Sequence, residues 1–172
     1  MRAPRRPPAI VWRTALLVAV LAAGPALAQP EPGALALPVV PACISSPFGP
    51  REAAGPRASR FHQGIDLPAP AGAWVRAAAA GQVVAIRRIG ATGLAVTLSH
   101  PGGYVTRYAH LGQVAPALAG GKRAVAQGEA LGRIGRTGVT SGTHLHFELE
   151  VGGERIDPAP HLPVARCEQP QG

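Results

Sequence analysis

Six short stretches of this chain have the apolar-rich, alternating character of β-strands: residues 74–79, 82–89, 94–99, 103–109, 130–134 and 143–151. The last is the cleanest. In "THLHFELEV", Thr143, Leu145, Phe147, Leu149 and Val151 fall on one face of an extended strand, and His144, His146, Glu148 and Glu150 fall on the other. Glycine and proline punctuate the intervals, at Gly81, "GATG" (90–93), "PGG" (101–103) and "GRTGVTSG" (135–142), as turns require. No stretch sustains helical spacing, and the Ala77–Ala80 run is too short to propagate a helix before it meets Gly81. The pattern predicts a mostly β domain with antiparallel pairing. On its own, the polar face of 143–151 fits a solvated strand back as well as a functional surface.

Composition then narrows the class. The chain has 172 residues, room for one domain. With 22 Gly and 19 Pro it approaches a disordered composition, but their turn-like spacing argues for a folded one. Residues 1–28 have the layout of a cleavable signal peptide: a basic start (Arg2, Arg5, Arg6, Arg13), a short apolar run "TALLVAVLAAG", and "ALA" before Gln29. The expected organisation is a signal peptide at 1–28, a Pro-rich linker at 29–42, a domain at 43–167 and a tail at 168–172. Export is expected, to the periplasm first and otherwise to the extracellular space or the wall, with no membrane attachment once the leader is removed.

Loss of the leader also changes the charge. It takes four of the 17 basic residues and none of the nine acidic ones, so the formal charge falls from +8 to +4. That suits an anionic polymer such as a wall. It does not suit nucleic acid, since no Lys/Arg run carries interleaved aromatics and aromatics make only 4% of the chain. Cys43 and Cys167, near the two ends of the exported part, are expected to form one disulfide. Neither is flanked like a metal knuckle.

Three stretches carry candidate chemistry. In "RFHQGIDLPAPAG" (60–72), Pro68 and Pro70 argue against a helix, and Gly64 permits a bend that brings His62 and Asp66 to one point. One imidazole and one carboxylate are two parts of a three-ligand zinc site, which needs a further nitrogen and an open position. In "GGYVTRYAHLG" (102–112), strict alternation puts Tyr104, Thr106, Tyr108 and His110 on one face. The third is the His144/His146 pair.

Taken in order, "FHQGIDL", "YVTRYAHL" and "GVTSGTHLHFEL" resemble the lysostaphin/LytM-type zinc endopeptidases, a family marked by H-x-x-x-D, a later single His, and H-x-H. The resemblance covers roughly Ser45 to Leu162, including "SSPFGPR", "GQVVAI", "GLAVTLSHPGG", "AQGEALGRIGRTG" and "RIDPAPHL". It implies an open antiparallel β-sheet around a groove with one zinc ion at its floor. It further implies His62, Asp66 and His146 as metal ligands, and His110 and His144 as the histidines that move protons and stabilise the oxyanion. The implied substrate is a peptide cross-link or stem peptide of peptidoglycan. Two neutral imidazoles and one carboxylate leave a zinc site with net charge +1, which activates water near neutral pH. No glutamate stands as in H-E-x-x-H, so a histidine must serve as base, and the sequence does not choose between His110 and His144.

The remaining polar residues take plainer readings. His100 ends a strand at a Pro-Gly-Gly turn and His161 lies in the C-terminal part, both away from the metal. Glu148 supports His146 rather than ligating. Tyr108, and after it Tyr104, are candidates to line the groove. Ser141 and Thr143 shape a loop. The segment 112–132 is longer than in the commonest family version and is expected to alter one groove wall. Two other functions fit a chain of this kind: a non-catalytic LytM-type module that activates wall amidases, and a zinc peptidase acting on secreted proteins. Such modules usually lack one or more of the five site positions, and this chain has all five.

Overall fold

The computed structural model describes residues 32–52 and 59–168. The expected signal peptide at 1–28 and most of the expected tail lie outside them. Eleven strands form in chain order among the described residues. They are β1 (Gly49–Pro50), β2 (Phe61–His62), β3 (Ile65–Pro68), β4 (Trp74–Arg76), β5 (Gly81–Ile89), β6 (Gly93–Ser99) and β7 (Tyr104–Val114), then β8 (Ala124–Val125), β9 (Ala130–Ile134), β10 (His144–Val151) and β11 (Glu154–Ile156). One helical turn, α1 (Pro116–Ala119), opens with proline at its first position, where the missing N–H costs nothing. No helix of the described residues is long and apolar enough to cross a membrane.

Nine strands join in one open antiparallel sheet with the path β11-β10-β7-β6-β5-β8. At its β10 end the sheet divides. His144 to Phe147 pair with β3, while His146 to Val151 pair with β7. The far end of β7 leaves β6 and takes β9, which in turn pairs β4. His144 and His146 sit at this β3–β10–β7 junction. The core lies on one face of the fork, where Ile65, Leu67, Tyr108, Leu145, Phe147 and Leu149 are fully buried. Removing their apolar surface from water supplies the main stabilisation, about 1.5–3 kcal/mol for each large side chain.

Three segments refine the expected organisation. Residues 32–42 form no strand or helix, but they are packed down: Leu35 and Val39 are buried, Leu35 N–H donates to His161 O, and Arg76 N–H donates to Pro38 O. Cys43 and Cys167 are joined across a sequence separation of 124. The long 112–132 segment begins as the end of β7 and finishes in β9. Past Val114 it folds into α1 and β8, and β8 pairs with Gly81 and Gln82 at the end of the sheet far from His110. Buried Leu118 and Val125 draw it there.

Candidate metal centre

The register of β10 against β3 puts His146 directly opposite Asp66 and His144 opposite Pro68. His62 arrives from β2 through a bend at Gln63-Gly64 that lies hard against β10. A Cβ on Gly64 would sit 2.3 Å from the Phe147 carbonyl oxygen, so the close approach admits only glycine. Three donor atoms meet as a result. His62 Nε2 and Asp66 Oδ1 are 3.1 Å apart, His146 Nδ1 and Asp66 Oδ1 2.9 Å, and His62 Nε2 and His146 Nδ1 3.0 Å. The ligand atoms that these three residues offer all lie within 4.8 Å of one another.

Hydrogen bonds on the outer side of each imidazole fix which nitrogen faces inward. Pro47 O lies 2.7 Å from His62 Nδ1, and a carbonyl only accepts, so Nδ1 carries the proton and Nε2 presents its lone pair. Glu148 Oε1 lies 3.1 Å from His146 Nε2, which by the same argument leaves Nδ1 facing the cluster. Two imidazole lone pairs and a carboxylate oxygen thus converge on one point, an arrangement that only a cation satisfies. Tetrahedral zinc with bonds of about 2.0–2.1 Å would set such donors about 3.3 Å apart. The observed triangle is slightly contracted, and its two-nitrogen, one-carboxylate donor set is one used by catalytic zinc.

Proton affinities show the same pull. Burial alone would raise Asp66, yet its contacts with His146 and His62 hold it well below the usual carboxylate range. Burial alone would lower His146, yet Asp66 and Glu148 hold it above the usual histidine value. The cluster draws positive charge, proton or metal, to its centre.

Glu148 is itself anchored. Its Oε2 accepts from Arg155 Nε at 2.7 Å and faces Arg107 Nη1 at 3.4 Å. Burial opposes its ionisation, but His146, Arg155 and Arg107 bring its pKa down to about 2. Asp66 has a counterpart on its own outer oxygen, Arg51 Nη2, at 3.0 Å from Oδ2.

His144 and His110 stand beside the triangle. His144 Nε2 is 3.5 Å from Asp66 Oδ1, and its Nδ1 lies 3.3 Å from Thr140 Oγ1, whose own proton goes to Gly142 O. The His110 ring lies 4.9 Å from that of His144 and 5.8 Å from that of His146, and its Nδ1 donates to Thr137 O at 2.8 Å. Each ring therefore keeps Nε2 as its free lone pair. Burial is the main influence on both and pushes both below the usual histidine value, which favours the neutral form that accepts a proton.

Here the alternation expected of 104–110 fails. Tyr108 is fully buried on the core face, its ring 5.3 Å from Phe147. By alternation His110 would follow it there. Instead His110 adopts φ +62°, a left-handed conformation rare outside glycine, and its ring turns to the metal side. Thr137 holds this turn. Its hydroxyl donates to Leu111 O and accepts from Leu94 N–H, while its carbonyl holds His110. Gly93 (φ +61°) lets the loop approach this closely, since a Cβ there would sit 2.3 Å from Thr137.

Tyr108 and Tyr104 consequently do not line the groove. Tyr108 Oη accepts from Ala78 N–H and lies 3.0 Å from Thr106 Oγ1, which lies 2.7 Å from His100 Nε2. His100 closes the network by donating from Nδ1 to Ala80 O and stacks on Tyr104. His100 is structural, as expected. Sequence reasoning missed Arg51, Pro47, Thr137 and Thr140 as supports of the cluster. "SSPFGPR" and "GRTGVTSG" flagged their segments, but nothing in either marks a contact made through space.

Comparison with known proteins agrees with this geometry. Residues 60–158 match the family model described as Peptidase family M23. The chain is 40% identical over 121 residues to the DD-carboxypeptidase/endopeptidase Mpg of Neisseria meningitidis, covering 70% of this chain and 27% of that protein. It is 36% identical over 116 residues to the peptidoglycan DD-endopeptidase ShyA of Vibrio cholerae, covering 66% of this chain and 26% of that protein. The chain thus spans about a quarter of the length of these curated relatives. Among solved structures, a zinc-containing peptidase from Vibrio cholerae superposes with a TM-score of 0.63 at 31% identity, over 72% of this chain and 39% of that one.

Proposed function

The chain belongs to peptidase family M23, and from that premise we propose that it is an exported zinc-dependent endopeptidase that hydrolyses peptide cross-links of peptidoglycan. The observation that carries the proposal is the convergence of His62 Nε2, Asp66 Oδ1 and His146 Nδ1 beside two further histidines. A non-catalytic module would not need all five. The names of the relatives support D,D-bonds of the wall as the substrate class, and the modest positive charge of the part beyond the leader suits that anionic polymer.

In this reading His62, Asp66 and His146 hold one zinc ion. When bound there, zinc supplies a Lewis acid for the scissile carbonyl and acidifies a water. The chain's own residues do the rest. Neutral His110 or His144 takes the proton of the attacking water at Nε2, and as imidazolium it returns a proton to the leaving amine. The partner histidine donates to the oxygen on which negative charge develops when it carries a second proton, at Nε2, as imidazolium. Thr137 O and Thr140 Oγ1 keep Nδ1 protonated on both rings, which leaves Nε2 of each to take up and return a proton.

The test is muropeptide release from purified peptidoglycan by the full exported chain, with zinc, with a chelator, and in His110→Ala and His144→Ala variants. Cleavage should stop with the chelator, and each variant should lose at least about 100-fold in kcat while still binding zinc. A zinc-loaded protein that leaves all walls intact refutes the substrate, and a protein that binds no zinc refutes the centre.

A further inference from the structure

Asp66 is held from two sides. β10 pairs one edge of β3, and on the other edge Ser45 N–H donates to Asp66 O while Asp66 N–H donates to Ser46 O. Residues 44–51 form an arm along this edge, carried into β1, which pairs Gly49 with His62 and Pro50 with Phe61. Arg51 N–H then donates to Arg60 O, which fixes the arm's end. The arm meets both ligands of the 62–66 segment. Pro47 O takes the outer nitrogen of His62, and Arg51 Nη2 takes the outer oxygen of Asp66.

Arg51 binds with one nitrogen to two acceptors, Asp66 Oδ2 at 3.0 Å and Ser46 Oγ at 2.9 Å. Among the described residues it is the one Lys or Arg paired with Asp66, since Arg107 and Arg155 are committed to Glu148. A carboxylate can offer a metal one oxygen or two. With Oδ2 engaged by a planar guanidinium, Asp66 can turn only Oδ1 to the centre. A site of three protein ligands then keeps one position open, whereas a second oxygen from Asp66 would close it.

We propose that Arg51 is a positioning residue that keeps Asp66 a one-oxygen ligand and so keeps the fourth coordination position free. The inference rests on His62, Asp66 and His146 being the metal ligands.

The experiment uses the full exported chain as wild type, Arg51→Ala, Arg51→Lys and Ser46→Ala. Zinc affinity is measured by competition with a chromophoric chelator, and ligand number by the visible absorption of the cobalt(II)-substituted proteins. Arg51→Ala should lose about 10- to 100-fold in zinc affinity. Its cobalt band should weaken as the second Asp66 oxygen enters. Arg51→Lys, which restores the charge but not the planar guanidinium, should recover part of both. Melting of the metal-free proteins reports whether Arg51→Ala folds. If it does not, Ser46→Ala, which removes the side contact of Arg51 and a longer 3.4 Å contact with His62 Nδ1 while leaving Pro47 O on that nitrogen, should show a smaller change of the same sign. Wild-type zinc affinity and an unaltered cobalt spectrum in the folded Arg51 variants would overturn the proposal. A wild-type chain that binds neither metal would overturn the centre itself, and this inference with it.

Discussion

With Oε1 on His146 Nε2 and Oε2 on Arg155, the Glu148 carboxylate decides which imidazole nitrogen faces the metal. Glu148→Gln keeps the shape and loses the charge, and should cost about 10- to 100-fold in zinc affinity, read by chelator competition. The same residue makes stability pH-dependent. Its folded pKa, about 2, lies below its ordinary value of 4.5, so its contribution is fully present above about pH 4.5 and is lost as pH falls towards 2. Denaturant titrations of the metal-free protein across this window should lose on the order of 3 kcal/mol through this group, and Glu148→Gln should flatten the dependence. His62, Asp66, His144 and His146, which the structure brings together, were legible in the sequence because H-x-x-x-D and H-x-H place side chains by local spacing, whereas the spacing around His110 pointed it to the other face. Arg51 and Thr137 were not. Their roles depend on contacts across 15 and 27 residues, and the part of Thr137 that holds His110 is a carbonyl every residue possesses.

In β7 the local rule and the site conflict. Alternation sends residue 110 to the core, and the left-handed backbone at His110 sends it to the groove, at a cost of about 1–2 kcal/mol for a residue with a Cβ. Such strain persists where surrounding contacts over-determine it, here Gly135 N–H on His110 O and Thr137 O on the ring. His110→Gly should therefore be more stable than His110→Ala by about 1 kcal/mol in thermal unfolding, with both inactive. This irregularity explains why a period-2 reading located β7 but misplaced Tyr108 and Tyr104. The long strands β5, β6, β9 and β10 were found nearly to their ends because each carries enough apolar residues to declare a face. The strands β2, β3, β8 and β11 span two to four residues, too few for a period, and exist because neighbours supply their hydrogen bonds. Gly64 was read as allowing a bend. The structure adds the reason it must be glycine, the Phe147 carbonyl above it.

At the scale of the molecule, the Cys43–Cys167 bridge fastens the start of the arm to the end of the domain, beside the backbone contacts of Ile44 with Ala165 and Cys167. By the chain-entropy account a loop of this length is worth about 5 kcal/mol. The Cys43→Ser, Cys167→Ser double variant should lower the urea midpoint accordingly, without changing the strand content seen by circular dichroism. The centre is also drawn from distant parts of the chain. His146 follows His62 by 84 residues and Asp66 by 80, and the strand that carries it is among the last to form in chain order. A chain emerging from its N-terminus has two ligands long before it has the third, and its arm stays unfastened until Cys167 arrives. The triangle of donors is therefore a property of the folded domain: a chain cut short of His146 lacks one of its three corners.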